Sequence, residues 1–304
     1  MKVVLQPQNG YINRIQALAS AVLLAREIGA ELDVQWVPSS AAPAELREIF
    51  SESFLEKFFV EPQVWKLDPY LNLTDRGKVV TLAGLERGEQ VFMEELQELM
   101  SANPQISEFR ISAGGKFALG GLSEHFTILR GQFYRKELQF ISDIEYRARS
   151  LHDGHGPYLG VHLRYSDRSH QAPRRSSVLR AVLDLASRLE VSEVFLASDE
   201  PSERDRWRST MTSKGLRPWI AVSDLPFSVR SALPALVDWR LLSLSEGIVF
   251  FSESSFGEEA AVAAGKNVES ISLRGSPMSK VIAIVQEYIR AIVTYPKRHF
   301  FHKI

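Results

Sequence analysis

The sequence predicts an α/β protein of two doubly wound parallel sheets, and three observations carry that expectation. The chain opens as strand, tight loop, helix and strand. A second such series begins near residue 158. The length of 304 residues exceeds the size at which one hydrophobic core usually stops growing. Two domains are therefore expected, residues 1–151 and 152–304, meeting at the Gly-, Pro- and Asp-containing stretch His152-Asp153-Gly154-His155-Gly156-Pro157.

Lys2 to Gln6 is a short apolar run with two valines, closed by a loop of Pro7, Gln8, Asn9 and Gly10. Ile15, Leu18, Ala19, Val22, Leu23 and Ala25 then recur at helical spacing, Gly29 stops the helix, and Leu32 to Trp36 reads as the next strand. Ligands of such units sit at the loop–helix junction beyond the first strand. From Ser39 to about Leu151 the pattern is weaker. Helical spacing around Ala44 to Phe59 and Met93 to Met100 alternates with loops and short apolar runs such as Val79 to Leu82, and no topology follows from it. The second series is sharper, with strands at Tyr158 to Leu163, Glu193 to Ala197, Pro218 to Val222 and Gly247 to Phe251. Helices are expected at Ser177 to Leu189, Ser202 to Gly215, Leu233 to Ser243 and Phe256 to Ala264. A terminal helix, about Met278 to Val293, is long enough to pack back across both domains, and the basic tail from Lys297 reads as a solvated end.

Composition narrows the function. Hydrophobic residues make up 45% and charged residues 24%, the balance of a globular chain. A formal net charge of −1 supplies no global field for nucleic acid or an anionic membrane, so an anionic ligand must be met by specific residues. The absence of cysteine excludes a disulfide framework, a thiolate nucleophile and a cysteine-ligated metal. The N-terminus turns polar by Gln6, too soon for a signal peptide, and no stretch approaches the ~20 apolar residues of a membrane span. A complete cytoplasmic protein without a transmembrane segment or nucleic-acid partner is expected.

Three strand ends carry residues suited to an anion. In Gly160-Val161-His162-Leu163-Arg164-Tyr165-Ser166-Asp167, alternation places His162 and Arg164 on one face, and an arginine there presents paired N–H groups to a diphosphate. The structural alternative is a His–Arg–Asp cluster tying the strand to a loop. Phe251-Ser252-Glu253-Ser254-Ser255-Phe256 runs from a strand into a helix, so serine hydroxyls and free amides meet at a positive helix end, unless Ser254 is an ordinary cap. Asn9-Gly10-Tyr11-Ile12-Asn13-Arg14 lacks the glycine patterns of dinucleotide and triphosphate loops, which removes support for hydride transfer and triphosphate hydrolysis. Its Asn13 and Arg14 are placed to reach across a cleft, or else to serve as turn and cap. Asp199 closes another strand, and Asp238 lies in the apolar helix stretch Ala235-Leu236-Val237-Asp238-Trp239. There it needs a partner such as the N–H edge of guanine or, more plainly, Arg240. No histidine spacing suggests zinc and no Asp-x-Asp closes a strand, which favours chemistry without a metal.

Taken together, these segments resemble the fucosyltransferase superfamily that includes the bacterial nodulation α1,6-fucosyltransferases, the core fucosyltransferase and the protein O-fucosyltransferases. The matching pieces are Gly10-Tyr11-Ile12-Asn13-Arg14 with Ala17 to Ala21, His162-Leu163-Arg164 with Asp167, Leu196-Ala197-Ser198-Asp199, Asp238, and Ser254-Ser255-Phe256. The resemblance implies a GT-B architecture. Two Rossmann-like domains, an N-terminal acceptor side and a C-terminal nucleotide-sugar side, face each other across a cleft, and the C-terminal helix packs back on the N-terminal domain. It implies an inverting, metal-independent transfer of fucose or a related sugar from a GDP-sugar, without any other cofactor, to the hydroxyl of a small molecule, oligosaccharide or peptide. Arg164 would bind and stabilise the leaving phosphate, His162 and Asp238 would meet guanine, and Asp199 would join the nucleotide site. Ser254, Ser255 and the Phe256 amide would hold phosphate oxygens, with Asn13 facing donor and acceptor. Asp167, Glu253 and His170 are open choices for the catalytic base. This chain departs from the pattern after Arg164, where Tyr-Ser-Asp-Arg-Ser replaces Arg-x-Gly-Asp, and at Gln8-Asn9, which replaces a glycine pair. Use of another nucleotide sugar, or a two-domain binding protein without transfer, are the alternatives.

Overall fold

The computed structural model describes residues 1–58, 79–85, 90–91, 101–119, 123–165, 172–221, 232–252 and 254–275. Strand β1 (Lys2–Pro7) leads into helix α1 (Tyr11–Glu27) and strand β2 (Glu31–Val34), and Gly29 takes the left-handed φ of +62° that ends the helix. Helix α2 (Glu52–Phe58), β3 (Val79–Leu85), β4 (Gln90–Val91), β5 (Glu108–Ala113) and β6 (Ala118–Leu119) follow, then α3 (Ser123–Lys136) and α4 (Ser142–Asp153). The remaining elements alternate: β7 (Tyr158–Leu163), α5 (Arg175–Arg188), β8 (Glu193–Ser198), α6 (Pro201–Thr212), β9 (Arg217–Trp219), α7 (Leu233–Ser243), β10 (Gly247–Phe251), α8 (Ser255–Ala264) and β11 (Glu269–Leu273). The expected helices at Met93 to Met100 and Met278 to Val293 lie outside the described residues, as does any packing of the C-terminal helix on the N-terminal domain.

Two main sheets result, ordered β2-β1-β5-β3 and β11-β10-β7-β8-β9, with every strand pair parallel. In the second sheet the chain winds from β7 outward through β8 and β9, then returns to the other side of β7 with β10. The carboxyl ends of β7 and β10 therefore flank a topological switch point, where crevices form in such sheets. In the first sheet β1 and β5 flank the equivalent point.

Burial explains the continuous apolar runs: all six residues of β7 and all five of β10 are buried, as expected for strands covered by helices on both faces. One face of the second sheet packs with Val178, Val182, Trp207 and Met211 of α5 and α6. The other face shares a single hydrophobic cluster with the first sheet, running from Val3 and Ile15 through Phe133 and Phe140 to Trp239, Ile248 and Phe250. Trp239 is the crossing point, its ring meeting Tyr134 at 5.8 Å and Phe140 at 6.0 Å, both edge-on. The stretch read as a linker begins inside α4, which continues through His152 and Asp153, because the helix lies against α7.

Candidate active site

The ends of β7 and β10 bring together two motifs 92 residues apart. In their parallel register Phe250 faces His162. The turn that follows β10 sets the Ser254 Oγ 3.2 Å from His162 Nδ1 and lays the Phe256 ring on the imidazole, with centroids 4.8 Å apart and planes at 21°. Burial lowers the His162 pKa to about 4; Asp199 opposes this and Arg164 reinforces it, so the ring is neutral near pH 7. Arg164 sits just beyond the strand and is half-buried. Asp199, at the end of the adjacent β8, accepts the Tyr165 N–H at 2.8 Å and so holds the backbone immediately after Arg164. Behind that turn the Tyr165 hydroxyl accepts from Trp207 Nε1 at 3.2 Å.

Asp238 lies on α7, half-buried, where burial pushes its carboxyl up to about 7 against the opposing field of Arg204. Arg240, the plain alternative partner, is occupied elsewhere, its Nε bonding Glu145 Oε2 at 3.1 Å. Arg204 presents a buried Nε with no hydrogen-bond partner among the described residues. An acceptor that wants donors and a donor that wants an acceptor thus lie within each other's field, an arrangement suited to the mixed edge of a purine.

The N-terminal half supplies Asn13, one turn into α1, whose Oδ1 accepts the Ser255 hydroxyl at 2.7 Å. The first turns of α1 and α8 therefore meet. Neither is capped by a side chain: Gly10 has none to offer, and Ser254 turns to His162 instead. Ser254 is thus not the ordinary side-chain cap that the sequence alone allows. Each helix end carries roughly half a positive charge, so the junction is a place where an anion would be favoured.

Arg14, expected beside Asn13 in a loop facing a cleft, is turned the other way. It is 1% exposed and donates from Nε to the Asn9 carbonyl, from Nη1 to the Val37 carbonyl and from Nη2 to Ser39 Oγ, each at 2.8 Å, with its guanidinium 4.7 Å from the Trp36 ring centre. Burial lowers its pKa to about 10, leaving it charged. Asn9 takes φ of +66°, the left-handed conformation that asparagine tolerates, and its Nδ2 donates to the Gly114 carbonyl at 2.9 Å across the first switch point. That accounts for the asparagine at this position, where the resemblance implies glycine.

Sequence reasoning missed Glu259 as a connector between the halves. Fully buried one turn after Ser255, it accepts from Gln16 Nε2 of α1 at 2.8 Å, Arg130 Nε of α3 at 2.8 Å and the Tyr134 hydroxyl at 2.6 Å. Burial and Glu259 together raise the Tyr134 pKa well above its usual value; burial acts against the Arg130 charge, but Glu259 and Tyr134 outweigh it. The separations of 243 and 129 residues leave no local signal for these contacts. Asp167, His170 and Glu253, the candidate bases, lie outside the described residues. Among the described residues no three His, Asp or Glu side chains are grouped to hold a metal, and no helix is long and apolar enough to cross a membrane.

No protein-family model and no curated sequence matches the chain. Solved structures do. A mutant of Arabidopsis thaliana FUT1 in complex with GDP superposes with a TM-score of 0.59 at 13% identity, over 87% of this chain and 69% of that one. The chain has the GT-B fold of fucosyltransferases. NodZ α-1,6-fucosyltransferase co-crystallised with GDP, an enzyme also solved from Bradyrhizobium, gives 0.53 at 17% identity over 85% of this chain and 91% of its own. POFUT1 in complex with GDP gives 0.51 at 10% identity, over 89% and 97%. The fucosyltransferase fold is thus shared across nearly the whole chain.

Proposed function

We propose that this protein is a glycosyltransferase moving fucose or a related sugar from a GDP-sugar to a hydroxyl acceptor, with inversion and without a metal ion. The observation that carries the reading is the meeting of the two uncapped helix ends at Asn13 and Ser255, beside the His162, Ser254 and Phe256 cluster and the end of the strand bearing Arg164. Breaking the sugar–phosphate bond leaves negative charge on the outer phosphate. Positive helix ends, the amides of the first turn of α8 and the Arg164 guanidinium stabilise that charge more as it grows, which lowers the barrier. Neutral His162, stacked on Phe256, and Asp238, in the field of Arg204, are the polar groups this reading assigns to the purine.

In this reading residues 152–304 hold the nucleotide sugar through His162, Arg164, Asp199, Asp238, Ser254, Ser255 and Phe256. Residues 1–151 present the acceptor, with Gly10 and Asn13 at the junction and Arg14 supporting their loop. The acceptor proton goes to a base among Asp167, His170 and Glu253. Support for GDP comes from the fold neighbours solved with that nucleotide and from the donor-seeking carboxyl of Asp238. A cytoplasmic setting accords with the cysteine-free composition.

Thermal denaturation with GDP, UDP, ADP and dTDP, first without metal and then with magnesium or manganese, tests the proposal, since a ligand that binds only the native state raises stability by mass action. A GDP-selective, metal-independent rise, lost in a folded Arg164→Ala variant, is expected. No rise with any nucleotide at millimolar concentration overturns it.

A further inference from the structure

Asn13 and Gln16 lie three residues apart on α1, and Ser255 and Glu259 four apart on α8, so each pair shares one helix face. The hydrogen bonds Ser255 Oγ to Asn13 Oδ1 at 2.7 Å and Gln16 Nε2 to Glu259 Oε1 at 2.8 Å are therefore successive rungs between the same two faces, one turn apart. The outer rung lies at the proposed reaction site and the inner rung is sealed in the core. Glu259 is also tied from a second side by Arg130 and Tyr134 of α3. Gly131, between those two residues, lets α3 approach so closely that a Cβ there would lie 2.6 Å from the Val262 carbonyl oxygen of α8. Arg135 closes the far end of the same helix, donating to the Val262 carbonyl at 3.2 Å and the Ala263 carbonyl at 3.1 Å.

We infer that Glu259 is a positioning residue: through the Gln16 rung it fixes the register of α8 on α1, and with it the placement of Asn13 opposite the nucleotide-binding turn Ser254-Ser255-Phe256. The inference rests on the proposed transferase reading for its consequence in turnover, while the register itself is independent of that reading. The buried face of α8 has two sets of partners, α1 and α3, that belong to the other half of the chain. A slide of α8 along α1 breaks both rungs together and strands a guanidinium in the core, so the helix has one acceptable register. With Asn13 near the sugar in the proposed reading, a displacement on the order of 1 Å costs roughly 100-fold in rate while the contacts assigned to the strand ends, at His162, Arg164 and Asp199, persist.

The chain has no cysteine, so an introduced pair reports cleanly on register. Asn13→Cys with Ser255→Cys is oxidised in three backgrounds: unaltered, Glu259→Leu with Arg130→Met, and Glu259→Gln with Arg130→Met. Both paired changes remove the buried charges together, which proteins tolerate better than removing one, and thermal denaturation verifies that each variant folds. Slowing of cross-linking by about tenfold or more in the leucine background, with rescue by glutamine, which keeps the Gln16 rung, is the expected result. Equal rates in all three backgrounds, or equal loss with leucine and glutamine, overturn the inference. In parallel, without the cysteines, hydrolysis of GDP-fucose by water to GDP and fucose should lose kcat with little change in KM in the leucine variant and recover in the glutamine variant. Failure of hydrolysis in the unaltered protein as well counts against the transferase reading, and the cross-linking result then decides the role of Glu259 alone.

Discussion

Asn13 and Arg14 are neighbours in the chain and face opposite ways. Asn13 points at the C-terminal half, accepting from Ser255 at 2.7 Å, whereas Arg14 is buried in the N-terminal half on two carbonyls and a hydroxyl. One residue belongs to the junction between the helix ends; the next is part of what holds that junction in place.

The two should therefore fail differently. Arg14→Ala leaves the Asn9 and Val37 carbonyls without their donor and is expected to cost about 2–4 kcal/mol in urea denaturation. Asn13→Ala should change stability by about 1 kcal/mol or less, yet lower GDP-fucose turnover by roughly 100-fold. A stability loss at Asn13 as large as that at Arg14 would mean that the Asn13–Ser255 contact is structural.

His162 gives the protein an acid limb. Its pKa falls from 6.5 in the unfolded chain to about 4 in the fold, so the unfolded chain binds more protons between those values. The contribution is fully present above pH 6.5 and is lost as pH falls towards 4. Stability measured against pH should fall through that window by up to about 3 kcal/mol more for the native protein than for His162→Gln.

Asp238 titrates with the opposite sign. Raised from 3.8 to about 7, its carboxyl holds a proton in the fold that the unfolded chain has released, so its contribution to stability is lost as pH rises through that interval. In the proposed reading guanine's N–H edge meets the ionised carboxylate, so GDP affinity should weaken by about tenfold for each pH unit below 7. Asp238→Asn should remove both the pH dependence and the preference for GDP over ADP, as calorimetric titration at several pH values will show.

Gly131 tests the approach of α3 to α8. Alanine there meets the Val262 carbonyl oxygen at 2.6 Å and must push the helices apart, at an expected cost of about 1–3 kcal/mol in thermal denaturation. Gly156→Ala, with no atom within 4 Å of the added carbon, is the control and should be near neutral.

The outer frame was legible in the sequence because its signals are local. The runs at Tyr158 to Leu163 and Gly247 to Phe251 match β7 and β10 end to end, since strands buried on both faces are largely apolar, His162 being the exception in β7. The meeting of His162 and Ser254 depends on the pairing of β10 with β7, which local patterns alone do not give. Helices α3 and α4 were not legible. In α3 the core-facing positions include Arg130 and Tyr134, and Gly131 interrupts the pattern, so a count of apolar residues underrates a face that is buried by pairing with Glu259. Arg14 misleads for a related reason: an arginine in a loop-to-helix turn looks like a ligand-binding group, and only Val37 and Ser39, more than twenty residues on, show that its donors are taken.

The late position of Glu259 bears on how this chain folds during synthesis. Gln16, Arg130 and Tyr134 leave the ribosome long before the carboxylate that receives their hydrogen bonds, and Arg130 is only 2% exposed once folded. Until residue 259 emerges, Arg130 has no counter-charge, and the face of α3 that packs on α8 stays in water. The amino-terminal half should thus lack the helix that covers one of its faces until the segment bearing Glu259 is made, and a fragment cut at residue 151 should be recovered as an incompletely folded chain.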